Sequence, residues 1–423
     1  MKALFLLRHY NDIDHITPVI VRWVESNHGC DVVLIGNPKF LQDYRIQFLS
    51  KLDGVGVTLI RKQLPTLLFI KWRAQTLLLG RGLRRTILRP IADLLISMLS
   101  IDRRQQIWQA VTWKLLTSSF ANEEAGVVVF DWITKDSPVA LEWVETIVAM
   151  AHSMGFGAVS LPHGDSPHSS QLIRHGEWRL QPNDLYAAGR IFDRLVVPNE
   201  LCAQRFRPFM DERALAVLGS PRYCDEWLAK LKTLLPPSPL EHDAVHLKIV
   251  LFLRKNEFTI FWEEVGEVVH MISAFPGVTL MIKPHTRGGW KQSFTSNSAL
   301  RKLANVHIAD DDVHSAHLLA WADVIIDLAT SVAFEAIKAG KPVLAADYLH
   351  AGRSAVADYL PETALWCRDD AYQKIDHFLT HGCGHFYNET LRQKFIREMI
   401  DGPDTGVLLR YVRLLEEQAK QER

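Results

Sequence analysis

The stretch SLPHGDSPHSS, residues 160–170, places two histidines and a carboxylate directly after an apolar run that is typical of a buried strand. A histidine titrates near neutral pH, so His163 is a candidate to accept a hydroxyl proton or to hydrogen-bond a phosphate group. Asp165 and His168 follow closely and are supporting candidates. The alternative is a polar turn in which the histidine has a structural role alone.

Two further predicted strands in the first half of the chain end in polar loops. RHYNDIDH, residues 8–15, contains Asp12 and Asp14, and FDWITKDSP, residues 130–138, contains Asp131. These carboxylates are candidates for the catalytic base if the histidine is not. The Asp-x-Asp pair has no third carboxylate in register and the first loop has no G-x-G-x-x-G, so we expect neither a metal ion nor a dinucleotide. Ordinary turn chemistry is the alternative for each loop.

In the second half, ADVIIDLATSVAFEAIKAGKPVLAAD, residues 322–347, predicts a strand, a polar turn and a helix. Thr330 and Ser331 stand at the helix N-terminus, where hydroxyls, N–H groups and the helix dipole favour a phosphate. Glu335, one turn further on, is a candidate ligand for a ribose hydroxyl. The alternative is the strand, cap and helix found in any α/β protein.

Two other predicted strands of the second half end in basic loops, LMIKPHTRGG at 280–289 and VLFLRKNEF at 250–258. Together they supply five candidate ligands for a donor phosphate: Arg254, Lys255, Lys283, His285 and Arg287. Cations gathered at one sheet edge can stabilise a diphosphate leaving group without a metal. A single basic loop is usually a solvated surface, but three strand ends with such residues support one anion site.

These loops must be positioned by strands, which the apolar runs of the sequence predict. Short uninterrupted apolar runs alternate with helical patterns, as in parallel sheets covered by helices on both faces. The runs lie at residues 3–7, 31–36, 56–60, 126–131, 157–162 and 194–199, and then at 247–253, 278–284, 305–310, 322–327 and 341–347. We therefore predict an α/β protein of two doubly wound, Rossmann-like domains, with ligands at the carboxyl strand ends and in the central cleft.

The domain boundaries follow from a proline cluster and from chain length. A chain of 423 residues is too long for one ordinary core. LLPPSPLEHDAVH, residues 234–246, separates the two sets of strands and is the predicted linker. The predicted domains are 1–233 and 247–395, followed by a C-terminal helix within 396–423 that packs back on the first domain.

Residues 61–118 form a predicted helical insertion that is strongly basic, although the whole chain has zero net charge. Eleven basic and two acidic residues lie between positions 61 and 114, interleaved with Leu, Ile, Phe and Trp. This pattern favours an amphipathic surface for anionic lipid. A helical subdomain with solvated arginines is the alternative. We expect no nucleic-acid partner, because no recognised nucleic-acid module accompanies the charge.

The cysteines and the hydropathy of the chain bear on its compartment. Five scattered cysteines without a C-x-x-C motif favour a reducing environment. No apolar stretch in the sequence is long enough to predict a spanning helix. We therefore expect a cytoplasmic protein that associates peripherally with the inner face of the membrane.

ADVIID followed by TSVAFEAIKAGKPVL, with KPH upstream, resembles the nucleotide-binding half of GT-B glycosyltransferases. The chain is most similar to the CDP-glycerol glycerophosphotransferase and capsule Kdo-transferase type, which also carries an HG motif like His163-Gly164. LGSPRYCDEW, residues 218–227, resembles the segment that closes the first domain and contains the supporting candidate Arg222. The resemblance covers roughly residues 155–350. It implies a GT-B fold, a nucleotide-activated donor bound by the second domain, and no metal or other cofactor.

Together these features predict a metal-independent glycosyltransferase. It would move a sugar, for example a ulosonic acid from a CMP donor, onto a cell-surface polysaccharide or a lipid-linked acceptor. Three alternatives stay open: a CDP-glycerol-type polyol-phosphate transferase, a nucleotide-sugar 2-epimerase, and a non-catalytic GT-B binding subunit. The sequence does not choose the donor, because base and sugar are often recognised through backbone groups and loop shape.

Overall fold

Each predicted strand is present, and all of them belong to parallel sheets. The structure, a computed structural model, describes residues 1–79, 90–91, 94, 96, 100–134, 137, 139–163, 184–240, 247–254, 258–285, 303–311, 313–402 and 406–420. It divides into two units, each built around one sheet. Unit 1 comprises Met1–Gly164, Pro182–Leu235 and Asp404–Arg423, and unit 2 comprises Asp165–Gln181 and Pro236–Pro403.

The strands of the two sheets follow the chain in order. Unit 1 contains β1 (Lys2–Leu7), β2 (Gly29–Leu34), β3 (Val55–Leu59), β4 (Gly126–Asp131), β5 (Gly157–Leu161), β6 (Arg194–Val197) and β7 (Leu215–Val217). Unit 2 contains β8 (Leu247–Phe252), β9 (Val278–Lys283), β10 (Val306–Ile308), β11 (Val324–Asp327) and β12 (Val343–Ala345). The spatial orders are β3-β2-β1-β4-β5-β6-β7 and β10-β9-β8-β11-β12. The strand β7 was not predicted, although it lies within the short apolar run ALAVL at 214–218.

Helices alternate with these strands, as the doubly wound prediction requires. They are α1 (Tyr10–Glu25), α2 (Tyr44–Leu49), α3 (Ile60–Gln63), α4 (Thr66–Leu79), α5 (Ile101–Phe120), α6 (Leu141–Ser153), α7 (Glu200–Phe206), α8 (Asp225–Leu234), α9 (Trp262–Ser273), α10 (Ser315–Trp321), α11 (Val332–Lys338), α12 (Ala355–Tyr359), α13 (Arg368–His381), α14 (Glu389–Phe395) and α15 (Val407–Lys420). Helices α1–α8 and α15 belong to unit 1, and α9–α14 belong to unit 2.

The central strand of unit 1 shows why polar residues gather at strand ends. In β1, Phe5 and Leu7 pack in one buried cluster, while Leu4 and Leu6 pack in a second cluster on the opposite face. A parallel strand covered on both faces leaves no room for polar side chains. The first polar groups that β1 can offer therefore stand just beyond its carboxyl end.

The chain leaves unit 2 after Pro403, later than the predicted boundary at 396. The boundary lies later because of packing within unit 2, where the ring of Phe395 contacts that of Phe334 with centroids 5.2 Å apart. In addition, Lys338 Nζ lies 2.6 Å from Asp401 Oδ1, which ties the following turn to α11. Helix α15 then packs on unit 1.

Part of the predicted basic insertion is described and is helical, in α4 and α5. Four of its arginines lie outside the described residues: Arg81, Arg84, Arg85 and Arg89. Within the described part of the chain, no helix is both long enough and apolar enough to cross a bilayer.

Candidate functional site

The carboxyl end of β1 is joined to α1 by Arg8 and His9. Asp12, in the first turn of α1, is fully buried. Its Oδ2 accepts the backbone N–H of Arg8 at 2.7 Å and that of His9 at 2.8 Å. A carboxylate at this position satisfies N–H groups near the helix start and suits the positive end of the helix dipole. The local sequence therefore turns Asp12 inward and fixes the two residues before the helix.

Asp131 stands at the carboxyl end of β4, the strand beside β1, and is also fully buried. The Arg8 guanidinium donates to both of its carboxylate oxygens, with Nε 2.7 Å from Oδ1. The same guanidinium donates to the carbonyl oxygen of Trp132 at 3.1 Å. Burial alone would raise the pKa of Asp131, but the charge of Arg8 and hydrogen bonds from His163 and Arg8 hold that pKa well below its usual range. Asp131 is therefore ionised at neutral pH.

His163 completes this cluster from the end of β5, the next strand along. Its Nδ1 lies 2.6 Å from Asp12 Oδ1 and 3.1 Å from Asp131 Oδ2. Burial would lower the pKa of His163, but hydrogen bonds and charges from the two carboxylates raise it to about 9. The ring is therefore protonated at neutral pH and has no lone pair for an acceptor proton. This charge state favours the predicted role of His163 as a donor to an anion over its predicted role as a proton acceptor.

The ring of His9 lies beside that of His163 but differs from it in protonation state. The centroids of the His9 and His163 rings are 5.7 Å apart, and the rings are nearly perpendicular at 73°. Burial lowers the pKa of His9 to about 4, with the charge of Arg8 acting in the same direction. At neutral pH, His9 is therefore a neutral imidazole. His9 was not among the predicted site residues, although its position directly before α1 was an available signal.

Asp12, Asp131 and His163 also form a group whose ligand atoms lie within 4.8 Å of one another, close enough for a metal ion. Their present partners make this use unfavourable. Asp131 already binds the Arg8 guanidinium, and Asp12 already accepts two backbone N–H groups. A metal would also have to displace the proton of His163. The arrangement fits an ion-pair network, and we assign it no metal role.

Asp14, a predicted catalytic candidate, is not brought to this cluster. Residues two apart on a helix point to opposite sides, so Asp12 and Asp14 cannot act together. Asp14 forms a salt bridge with Arg45, and its Oδ2 lies 3.4 Å from Nη1 of Arg222, the predicted supporting residue. Arg45 also binds Asp43 at 2.6 Å. These contacts make Asp14 part of a separate salt-bridge cluster.

In unit 2, the turn after β11 is organised by Asp327, which was predicted only as the end of a strand. Its buried carboxylate accepts the Thr330 backbone N–H at 3.0 and 3.1 Å and the Thr330 hydroxyl at 2.5 Å. Burial raises the pKa of Asp327 to about 6, although the Thr330 bonds oppose that shift. The predicted phosphate ligand Thr330 therefore directs its one hydroxyl hydrogen inward.

The rest of this turn includes the other predicted residues. Ala329 adopts a φ of 54°, in the left-handed region that disfavours a Cβ, and packs in a buried contact with Phe258. Such strain is often found at functional turns. The hydroxyl of Ser331 does not cap α11. Glu335 is largely buried within α11, one turn further on.

Lys283 ends β9 and is also largely buried. Its Nζ donates to the carbonyl oxygens of Asp310 at 2.6 Å and Asp311 at 3.3 Å. The predicted phosphate ligand Lys283 thus fastens the loop after β10 to the end of β9. We assign it a positioning role.

The remaining predicted residues divide into two groups. Arg254 lies just beyond β8 with its guanidinium carbon 4.8 Å from the Phe258 ring centroid, and His285 lies just beyond β9. Both strands neighbour each other in the sheet of unit 2, so their carboxyl ends share one edge. Four predicted site residues lie outside the described residues: Asp165, His168, Lys255 and Arg287.

Comparison with known proteins identifies the fold. No protein-family model matches the sequence, and no curated protein matches it. An epimerase of Neisseria meningitidis bound to UDP-GlcNAc aligns over 99% of both chains, with 11% identity and a TM-score of 0.51. The HepE protein of Anabaena in complex with UDP and glucose aligns over 99% of this chain and 98% of its own, with 12% identity and a TM-score of 0.52.

A third similar structure is a glycosyltransferase from Rickettsia africae, which covers 100% of this chain and 99% of its own, with 12% identity and a TM-score of 0.54. Likeness at such identities establishes a fold and no more. The predicted GT-B fold is confirmed, whereas the narrower resemblance to the CDP-glycerol and Kdo-transferase type stays a prediction.

The charge on His163 predicts a pH-dependent stability. Its pKa is about 6.5 when unfolded and about 9 in the fold, so the folded chain binds this proton more tightly. The contribution is fully present below pH 6.5 and is lost as the pH rises to 9. At 1.36 kcal/mol for each pKa unit, it amounts to about 3 kcal/mol. Urea unfolding of wild type and His163→Gln at pH 6 and pH 9 measures it.

His152→Gln is the matched control, because His152 also meets a carboxylate in unit 1, at 3.1 Å from Asp193. We expect His163→Gln to lose more of the wild-type pH dependence than this variant does. Equal pH dependence in wild type and His163→Gln would show that the ring is not held charged.

The turn after β11 gives a second prediction. Thr330→Val keeps the side-chain shape but removes the hydroxyl bond to buried Asp327. A buried acceptor that loses a partner costs roughly 1–3 kcal/mol of folding stability. Ser331→Ala is the control, with an expected change below about 0.5 kcal/mol. Chemical denaturation compares the two variants, and similar stabilities would contradict the inward role of Thr330.

Proposed function

We propose that this protein is a glycosyltransferase that uses a nucleotide-activated sugar. The observation that carries the proposal is the pair of neighbouring rings, His9 and His163, whose pKa values are shifted to about 4 and about 9. Titratable groups whose environments push their pKa values apart are suited to be base and acid at one pH. The GT-B fold and the nucleotide-bound neighbours support the nucleotide-sugar class.

In the proposed reaction, an acceptor hydroxyl oxygen attacks the anomeric carbon of the donor sugar. The bond from that carbon to the donor phosphate oxygen breaks, and the phosphate leaves with the bonding electrons. Neutral His9 takes the hydroxyl proton. Protonated His163 donates from Nε2, on the side of its ring opposite the carboxylates, to an anionic substrate group such as a phosphate or a ulosonic carboxylate. Asp12 and Asp131 hold that ring in place and keep it charged.

For unit 2, we propose donor-phosphate binding at the turn before α11. Ser331, Arg254 and His285 are the described ligands in this proposal, with Lys255 and Arg287 beside them in sequence. Glu335 is the proposed ribose ligand. Asp327, Thr330 and Lys283 act indirectly, by fixing the shape of the turn and of the neighbouring loop.

A nucleotide-sugar 2-epimerase is the second candidate. It is favoured by the Neisseria meningitidis structure, an epimerase bound to UDP-GlcNAc. Epimerisation also needs one group that removes a proton and another that returns it, which a base and an acid on neighbouring side chains can supply. The two functions differ in product: transfer needs an acceptor, and epimerisation exchanges the C2 hydrogen with solvent.

Replacing the proposed base gives a direct test. His9→Gln should lower turnover about 100-fold or more while nucleotide affinity changes little. Purified wild type, His9→Gln and the control His152→Gln are incubated with UDP-, CMP- and CDP-linked donors and a glycan acceptor. Released nucleotide measures transfer, and deuterium incorporation at C2 in D₂O measures epimerisation.

Three outcomes of this assay would contradict the proposal. Near-normal turnover of His9→Gln would show that His9 is not the catalytic base. Deuterium exchange at C2 without nucleotide release favours the epimerase. Absence of turnover with all donors, together with no thermal stabilisation by any nucleotide, favours a non-catalytic binding protein.

For the acceptor, we propose a lipid-linked glycan at an anionic membrane surface. Helix α4 exposes Leu67 by 65%, Ile70 by 55% and Leu77 by 45%, and these positions share one helical face. At 100° for each residue, exposed Lys71 and Arg73 flank that face on its two sides. An apolar stripe with cations along both edges suits a helix lying in the headgroup region.

Vesicle flotation tests this surface. Wild type should float with vesicles of anionic phosphatidylglycerol and not with neutral phosphatidylcholine. Leu67→Glu/Ile70→Glu should lower the bound fraction tenfold or more, because it removes apolar contact and adds negative charge. Leu41→Glu, at an exposed leucine of a different segment in unit 1, should bind as wild type does. Equal flotation of the double variant, or none of wild type, would contradict the proposal.

A further inference from the structure

Unit 2 contains a groove that none of the proposed chemistry uses. It has a volume of about 530 Å³, within the usual range for small-molecule sites. One face of α13 forms its floor, and the turn Pro361–Thr363 and the loop after α13 form its walls. Six of the lining residues carry its chemistry: Glu362, Trp366, Asp370, Lys374, His377 and Phe386.

The walls of the groove are fastened to one another. Lys374 on α13 donates to the carbonyl oxygen of Glu362 at 2.6 Å. The Glu362 carboxylate accepts the backbone N–H of Asn388 at 2.9 Å, which joins the turn to the loop after α13. The groove is therefore preorganised, so a ligand would not have to order it on binding.

Trp366 is the unusual feature of this groove, because its side chain is 75% exposed. Its backbone is fixed, since its N–H donates to Asp370 Oδ2 at 2.8 Å. An indole normally buries about 150–250 Å² of surface in a folded protein. A large aromatic side chain that is held at the rim of a polar groove offers a flat face for a ligand to cover.

The charges of the groove disfavour an anionic ligand. Glu362 and Asp370 contribute carboxylates. The ammonium of Lys374 is directed to the Glu362 carbonyl and lies 5.9 Å from the Phe386 ring centroid. A pyranose ring has a C–H face that packs on an aromatic ring and a rim of hydroxyls that donate to carboxylates. This combination of aromatic and carboxylate groups matches that chemistry better than it matches a phosphate.

We propose that this groove binds a neutral carbohydrate chain, with Trp366 stacked on a pyranose face. The choice of carbohydrate rests on the proposed function. The binding itself would be a second site on unit 2, next to the turn that we assign to the donor phosphate.

The strand register supports the proximity of the groove to the turn after β11. Ala345 on β12 pairs with Asp327 on β11 and, on its other side, forms a parallel bridge with Ala364. The backbone at Ala364 therefore lies two strand spacings, about 10 Å, from that at Asp327. Because all three segments run parallel, Trp366 emerges at the same sheet edge as the turn after β11.

Direct binding of sugars to the full chain tests the proposal. Isothermal titration uses maltohexaose, cellohexaose and chitohexaose as neutral probes, without nucleotide. At least one probe should bind wild type, Trp366→Ala should weaken that binding tenfold or more, and Trp366→Phe should fall between them. Trp113→Ala is the matched control, because Trp113 is 58% exposed on α5 of unit 1 and should be dispensable.

The proposal is overturned if none of the three probes binds wild type, or if Trp366→Ala binds as tightly as wild type does. A parallel thermal-shift arm with UDP, CMP and CDP separates this failure from failure of the proposed function. Nucleotide stabilisation without sugar binding rejects the groove alone, and sugar binding without nucleotide stabilisation rejects the transferase alone. If Trp366→Ala removes nucleotide stabilisation but not sugar binding, the groove is a nucleotide site and the proposal is wrong.

Discussion

The structure of the candidate site depends on the burial of two carboxylates, Asp12 and Asp131, around one histidine. A buried carboxylate is costly unless a cation or hydrogen bonds compensate for the lost water. Arg8 compensates Asp131, and the N–H groups before α1 compensate Asp12. The Nδ1 proton of His163 is shared between the two carboxylates, so the pKa of His163 is raised well above its usual value. The same two carboxylates also raise the pKa of His9, but burial and the charges of Arg8 and His163 outweigh them, so the neighbouring ring favours the neutral form.

The fold explains why these groups meet. Strands β1, β4 and β5 are neighbours, and each is mainly apolar, so the polar residues at their carboxyl ends stand at the same edge of the sheet. The apolar runs made both sheets predictable, and the strand ends made His163 and Asp131 predictable as site residues. The charge state of His163 was not predictable, because it depends on Asp12, which is 151 residues away in sequence.

The errors in the site have one physical source, which is the direction of side chains within a correctly predicted loop. Asp12 and Asp14 look equivalent in the sequence, but the helical turn sends one to His163 and the other to Arg45. Thr330 and Lys283 are residue types that often bind phosphate. Here, however, the Thr330 hydroxyl donates to Asp327 and the Lys283 ammonium donates to a backbone carbonyl oxygen. Asp327, by contrast, was overlooked because a strand-end aspartate is common. Residue type and spacing therefore selected the loops, while the partners of each side chain needed coordinates.

The central claim is that His163 is charged and His9 is neutral in the same folded protein at neutral pH. The most direct measurement is an NMR titration of the imidazole nitrogens in ¹⁵N-histidine-labelled protein, with His163→Gln and His9→Gln used to assign the two rings. We expect His163 to remain an imidazolium through pH 8 and His9 to remain neutral at pH 6. Titration of both rings near 6.5, the ordinary histidine value, would contradict it.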